Sequence, residues 1–398
     1  LVTCLLVGCY LIYKRRSRRG VVGLSIFSLL YFGFYRRGCI CPIGSPQNVV
    51  LGLVDPAYAV PVVVVFFFLL PLVFALFAGR VFCGTVCPHG ALQDVLLIKP
   101  VRLPLWLEQG LSVIPYLYLG AGIYFAYTGA AFIICRYDPF VPFFRLSGGL
   151  VMLLLGAGLA VASMFIGRPY CRFFCPYGAL LRLAALVSKW RVRITPDFCS
   201  TCRLCADACP FGAIREPLPD PVAPDELAGA RRAFGVSLLL LPLLVAGGAI
   251  MGHGIAGPAA VVHPTVALAE RYLDPNKPAP PRVATPESLA LQRAEQERES
   301  LLIEAVRIKR RFDTAGWWFG GWVGLVIGVR LVSLTLRPRR AEFEADRGAC
   351  FACARCYLSC PNERVRLGLM SSGELSGYAE RPAGTEAAEL ARNSRGRA

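Results

Sequence analysis

Cys199-Ser200-Thr201-Cys202-Arg203-Leu204-Cys205-Ala206-Asp207-Ala208-Cys209-Pro210 spaces four cysteines as Cys-x2-Cys-x2-Cys-x3-Cys-Pro. The same spacing recurs as Cys350-Phe351-Ala352-Cys353-Ala354-Arg355-Cys356-Tyr357-Leu358-Ser359-Cys360-Pro361. Three thiolates this close together wrap one [4Fe–4S] cube. The fourth, carried past it by the Cys-Pro turn, reaches a neighbouring cube. The expected ligand sets are therefore crossed: Cys199, Cys202, Cys205 and Cys360 for one cluster, and Cys350, Cys353, Cys356 and Cys209 for the other. Two zinc sites are the competing reading. Zinc sites, however, usually pair two Cys-x2-Cys knuckles across a longer loop, whereas here each four-cysteine run is complete in itself and ends in proline.

Between the two runs lie two apolar stretches, Phe234–Met251 and Gly316–Leu336, each of a length that crosses about 30 Å of hydrocarbon. Two spans return the chain to its starting side, so both runs can meet in one domain. The expectation is an α+β domain of the two-[4Fe–4S] bacterial-ferredoxin type, split by two transmembrane helices. Short strand-like pieces are expected before each run, at Arg191–Ile194 and Glu342–Glu344. A reducing compartment suits eight free thiolates.

The rest of the chain reads as membrane. Of 398 residues, 55% are hydrophobic and 17% charged, against about 25% charged in soluble domains. Further spans are expected at Gly20–Tyr35, Tyr58–Ala78, Leu111–Cys135 and Gly148–Ile166. The apolar run Leu1–Tyr13 is too short to cross, and reads as the end of a helix in a chain that begins mid-protein. The fold class is thus a membrane α-helical bundle of six to seven transmembrane helices carrying a cytoplasmic ferredoxin-like domain. A net charge of +17 would raise nucleic acid in a soluble protein. Beside hydrophobic spans it reads as positive-inside loops, so no nucleic-acid partner is expected. The basic segments Lys14–Arg19 and Arg168–Arg232 mark the cytoplasm, and the loops carrying Arg36 and Arg37, or Arg136 and Arg145, the outside. Arg307, Lys309, Arg310 and Arg311 run against this pattern, in an outer loop too long for the rule to govern.

The organisation expected is 1–190, transmembrane helices with two Cys-x3-Cys-Pro motifs; 191–230, the first ferredoxin half; 231–336, two transmembrane helices around the outer loop 252–315; 337–370, the second half; and 371–398, a disordered tail. The outer loop is Pro-rich from Pro275 to Pro286. A surface amphipathic helix is then expected from Thr285-Pro286-Glu287 to about Phe312, ahead of the last span.

A second repeat sits at helix ends. Gly79-Arg80-Val81-Phe82-Cys83-x3-Cys87-Pro88-His89-Gly90-Ala91-Leu92 matches Gly167-Arg168-Pro169-Tyr170-Cys171-x3-Cys175-Pro176-Tyr177-Gly178-Ala179-Leu180. Both follow spans that exit to the same side. Cys83, Cys87, Cys171 and Cys175 therefore supply four thiolates for a third cluster or another thiolate-bound metal. The plainer alternative is reduced helix-end cysteines beside turn-forming residues. On the outer side, Cys39, Cys41 and Cys135 offer three thiols for a metal, with a disulfide from Cys39 or Cys41 to Cys135 as the other reading. Cys4 and Cys9 read as small apolar residues, and Trp317, Trp318 and Trp322 as an interfacial belt. His89 reads as a solvated turn residue, with a hydrogen bond to a species bound at the neighbouring cysteine pair as the other reading. No acid–base or nucleophile constellation stands out, so no catalytic residue is assigned.

With these motifs in view, the chain resembles the NosR/NapH-type membrane polyferredoxins over roughly residues 1 to 368. The resemblance rests on duplicated membrane-end Cys-x3-Cys-Pro motifs followed by paired ferredoxin motifs. It implies a multi-pass protein of the bacterial inner membrane. Its role would be electron transfer between a quinol or cytoplasmic donor and a periplasmic acceptor, as a carrier or subunit of an oxidoreductase system rather than a self-contained enzyme. Its partners would be membrane lipid, redox proteins and quinol. NosR-like members carry an outer FMN-binding domain before the first helix, so FMN is expected on a segment preceding Leu1. The Cys39-x-Cys41-Pro42 element and the long outer loop depart from NapH. A redox-sensing regulatory protein and a metal-centre maturation factor are the alternative functions.

Overall fold

The computed structural model describes residues 1–38, 42–145, 147, 149–194, 199–217, 224–273, 288–336, 342–371 and 373–374. Each expected span overlaps a helix, although the one expected at Leu111–Cys135 ends at Tyr127. Among the described residues, three helical stretches are long and apolar enough to cross a membrane: Leu105–Tyr127, Gly229–Ala260 and Arg298–Thr335. Three shorter apolar helices, Val2–Lys14, Val62–Ala78 and Leu150–Phe165, accompany them. Pro71 lies inside the Val62–Ala78 helix, an interruption that a helix packed among others tolerates.

The two helices inserted between the cysteine runs form a tight hairpin. Gly248 and Gly252 on one face Gly316, Gly320 and Gly324 on the other, so closely that a Cβ on Gly320 would collide with the Gly248 backbone. Small residues permit that approach, which is how helices gain packing energy where no hydrophobic effect separates them from lipid. The second of these helices corrects an expectation. The surface helix and the last span are not separate, because one helix runs unbroken over Ser288–Thr335. No proline interrupts it, and its glycines are absorbed by the partner helix. The Pro-rich stretch 275–286 and most of the tail lie outside the described residues, as do Cys39 and Cys41.

Trp322 is a second correction. Its indole Nε1–H donates to the Tyr116 carbonyl at 2.9 Å, so it locks two helices together instead of facing the interface. Trp317 and Trp318 stay exposed, as a belt requires.

The ferredoxin halves meet through a two-stranded antiparallel sheet, β1 (Ile214–Arg215) and β2 (Glu344–Ala345), with Ile214 opposite Ala345 and Arg215 opposite Glu344. The strand expected at Arg191–Ile194 is absent, and the first half pairs through the residues that follow its cysteine run. Val192 and Ile194 are nonetheless buried, which is why their pattern mimics a strand. Asp346 holds the corner, accepting from the Ala349 backbone at 2.9 Å and pairing with Arg215 at 3.1 Å.

Candidate iron–sulfur centres

The two Cys-x3-Cys units fold alike. A five-residue helix, Val81–Thr85 or Pro169–Phe173, carries the first cysteine. The second, Cys87 or Cys175, caps the helix Pro88–Leu96 or Pro176–Leu186. Proline suits that first helical position because its missing N–H would have no partner there. Helix N-termini favour negative charge, and the Gly178 N–H donates to Cys175 Sγ at 3.2 Å. The glycine of each unit is needed for close approach. A Cβ on Gly90 would meet the Cys83 carbonyl and the Arg168 guanidinium, and one on Gly178 would meet the Cys171 carbonyl and Arg80. Each arginine thus reaches across to the other unit.

This crossing brings Cys83, Cys87, Cys171 and Cys175 around one buried cavity, whose walls include Ile43, Arg80 and His89. Gln93 Nε2 donates to Cys171 Sγ at 3.3 Å, and its Oε1 accepts from the Tyr170 backbone at 3.0 Å. His89 is a correction: it is 1% exposed, stacked on Tyr170, with Nε2 3.7 Å from the buried Asp138. Ile43 comes from the segment expected outside and Arg80 from the segment expected inside, yet both line this one cavity.

Burial pushes the thiols up: Cys87 and Cys175 well above the ordinary range and Cys171 to about 11, with neighbouring thiols adding to the effect. Loading iron here must therefore expel protons. In the cluster-free protein the folded state binds these protons more tightly than the unfolded chain, so their contribution is complete below the ordinary thiol value of 9.0. It is lost as pH climbs from there towards the raised values. The thermal midpoint of reduced, iron-free protein is expected to fall between about pH 9 and 11 by several degrees. A flat midpoint over that range contradicts this burial.

The ferredoxin thiols gather in crossed sets. Cys199, Cys202, Cys205 and Cys360 line one cavity with Ile194 and Phe343. Cys209 instead lies among the thiols of the second run. Its pKa is raised by burial and by Cys353, and that of Cys356 by burial, Cys350, Cys353 and Cys209. All these cysteines are free thiols. Among the described residues, no three His, Cys, Asp or Glu side chains converge tightly enough to hold a single metal ion. Thiols that ring a cavity without converging fit a larger group such as a cluster better than one zinc ion.

The cysteine sets are joined by packing. Phe211, following Cys209-Pro210, and Phe351, following Cys350, meet with ring centroids 5.0 Å apart. Phe351 abuts the Val81–Thr85 helix at Gly84, and Phe211 abuts Gly167. Arg80 stacks on Phe351 at 4.0 Å. Behind them Asp94, 8% exposed, pairs with Arg18 at 2.7 Å, Arg355 at 3.0 Å and Arg168 at 3.7 Å. Burial opposes its charge, but the three arginines outweigh burial and hold its carboxyl below the ordinary range. Replacing Asp94 with Asn strands these cations and is expected to cost roughly 3–5 kcal/mol, read as a lower thermal midpoint; an unchanged midpoint refutes the assignment. Nothing in the sequence marked Asp94 or Gln93, although the duplicated Gly-Arg dipeptide did flag both arginines. Cys135 is exposed and its Sγ lies against Gly44, while Cys39 and Cys41 lie outside the described residues.

Comparison with known proteins follows the same lines. A family model described as a 4Fe-4S binding domain matches residues 60–103 and 148–195, the two segments that carry the Cys-x3-Cys pairs. Another of that description matches residues 192–215. Protein NirI of Paracoccus denitrificans is 34% identical over 35% of this chain and 22% of its own length. YccM of Escherichia coli, whose name describes electron transport, is 31% identical over 35% of this chain and 43% of its own. Regulatory protein NosR of Pseudomonas aeruginosa is 26% identical over 50% of this chain and 30% of its own. The chain is similar to the NosR/NapH-type membrane polyferredoxins. The matched stretch spans less than half the length of each of these three relatives. No solved structure matches this chain. Iron–sulfur electron transport at a membrane is what its relatives and its cysteine domains support.

Proposed function

We propose that this chain is a multi-pass electron carrier holding three [4Fe–4S] clusters. Cys199, Cys202, Cys205 and Cys360 hold the first; Cys350, Cys353, Cys356 and Cys209 the second; and Cys83, Cys87, Cys171 and Cys175 the third. The observation that carries this reading is the two four-thiol cavities, with the Phe211–Phe351 pair packed between the second run and the Cys-x3-Cys units. Bound clusters supply one-electron steps. The chain supplies fixed thiols, a dry aromatic partition between the sets, and buried guanidinium groups that balance thiolate charge. Electrons pass between a quinol or cytoplasmic donor and a periplasmic acceptor. Six to seven helices sit in the inner membrane with the ferredoxin halves in the cytoplasm, and Cys135, together with Cys39 and Cys41, serves the outer end.

Iron and sulfide counts with EPR on anaerobically purified protein test the reading, with about twelve iron atoms per chain expected for three cubes. In membranes, quinol should reduce these centres, and reoxidation should follow when an acceptor is added. About eight irons, or none reducible by quinol, overturns it. Exported reporters fused at residue 280 should be active and those at residue 220 inactive; the reverse pattern overturns the orientation. The name of the NosR relative supports a regulatory reading as the second choice. That reading predicts oxygen-dependent cluster loss with no electron flow.

A further inference from the structure

Arg80 and Arg168 are the second residues of the two duplicated units, and both are buried, at 4% and 0% exposure. Guanidinium groups stay charged at any physiological pH. A buried cation without a counter-charge costs several kcal/mol, so each of these arginines calls for an anion.

Arg168 has part of one. Its Nη2 lies 3.7 Å from Asp94, but that single carboxylate is shared with Arg18 and Arg355. Its Nη1 donates to the Cys83 carbonyl, while its Nε and Nη2 have no hydrogen-bond partner. Arg80 has no carboxylate partner among the described side chains. Its Nη1 donates to the Gly348 carbonyl at 3.3 Å and its Nη2 lies 4.0 Å from Cys83 Sγ. Its Nε has no partner, and the residue lines the four-thiol cavity. Three guanidinium groups share one carboxylate, and a fourth, Arg80, has none and lines the cavity, which leaves an excess of positive charge beside it.

The excess is also placed directionally. Arg80 stacks over Phe351 at 4.0 Å, and Arg168 faces Phe351 at 5.3 Å and Phe211 at 5.6 Å. Both arginines therefore stand on the partition between the third thiol set and the second.

We propose that Arg80 and Arg168 are positioning residues that set the reduction potential of the centre held by Cys83, Cys87, Cys171 and Cys175, holding it above the value four thiolates alone would give. This rests on the three-centre reading above. Four thiolates around a [4Fe–4S]2+ core carry a net charge of −2, and reduction adds one more electron, making it −3. A fixed positive charge in a low-dielectric surrounding favours the more negative state, so removing it lowers the potential. Because the arginines neither gain nor lose protons, the one-electron step balances with no co-reactant.

The test is an EPR-monitored redox titration of the full chain, purified anaerobically, with the relevant signal identified as the one missing from Cys171→Ala. Arg80→Met and Arg168→Met should each lower its midpoint enough to change the oxidised-to-reduced ratio at the wild-type midpoint at least tenfold, about 59 mV for a one-electron couple. Arg80→Lys and Arg168→Lys keep the charge and should restore most of the shift. Arg355→Gln, at a partly exposed position, should shift the midpoint the same way by less and serves if the Met variants fail to assemble. A full iron count with an unmoved midpoint in Arg355→Gln and the Met variants overturns the proposal. Lys variants that fall as far as Met also overturn it, since the role would then be geometric. Absence of the signal from wild-type protein defeats the three-centre reading instead.

Discussion

A Cys209→Ala protein is expected to lose the cluster served by Cys350, Cys353 and Cys356, while the cluster beside Cys209 in sequence survives. Cys209 follows Cys205 by four residues, but Pro210 and the turn into β1 carry it away from its own run. It ends among the second run's thiols, where Cys353 raises its pKa. Cys360 makes the reciprocal move and lines the cavity of Cys199, Cys202 and Cys205. A cube that keeps only three thiolates at a packed site must find a water ligand or disassemble. The expected loss is therefore about four iron atoms per chain and one of the two interacting EPR signals. The Cys360→Ala protein should lose the other signal. If Cys209→Ala damages only the Cys199, Cys202 and Cys205 centre, crossed ligation is wrong. Packing predicts a further asymmetry. Cys209 sits beside the Phe211–Phe351 pair, so its loss should also interrupt transfer towards the membrane, whereas the Cys360 variant leaves that contact intact.

How much of this was legible beforehand depends on the range of each signal. The crossed grouping of the thiols could be read because thiol spacing and a Cys-Pro turn are local and their geometry is stereotyped. Helix positions could be read because apolar blocks are long. What failed was tertiary. Arg191–Ile194 alternates like a strand, yet its buried residues serve packing and the ladder forms at Ile214–Arg215. The boundary drawn before Gly316 followed a change from charged to apolar residues. That change alters what surrounds a helix and does not end it. His89 looked like a solvated turn because Pro88 and Gly90 flank it, yet it is enclosed by Phe140, Phe144 and Tyr170 from distant parts of the chain. Asp94 carries no motif, and its meaning comes from three arginines spread over more than 330 residues of sequence.

The double variant Cys87→Ala with Cys175→Ala should remove the third centre and leave both ferredoxin clusters in place. These two cysteines cap pseudo-equivalent helices and face one cavity, so their loss halves the thiolate set, and two thiols cannot retain a cube that needs four ligands. The expected result is about four fewer iron atoms per chain with the ferredoxin EPR signals unchanged. Quinol-driven reduction of those ferredoxin clusters should collapse to background, while a soluble low-potential reductant still reaches them. Folding is not at risk from lost charge, since without metal the wild-type thiols are held protonated by burial. Alanine removes small, neutral groups there, and the cavity cost is about 1 kcal/mol per site. Serine at the same positions discriminates chemistry from packing: it keeps the volume but is a poor cluster ligand, and should behave as alanine does. If iron content is unchanged, the four thiols hold no cluster. If iron falls but quinol still reduces the ferredoxin clusters at the wild-type rate, the centre exists off the route and electrons enter from the other end.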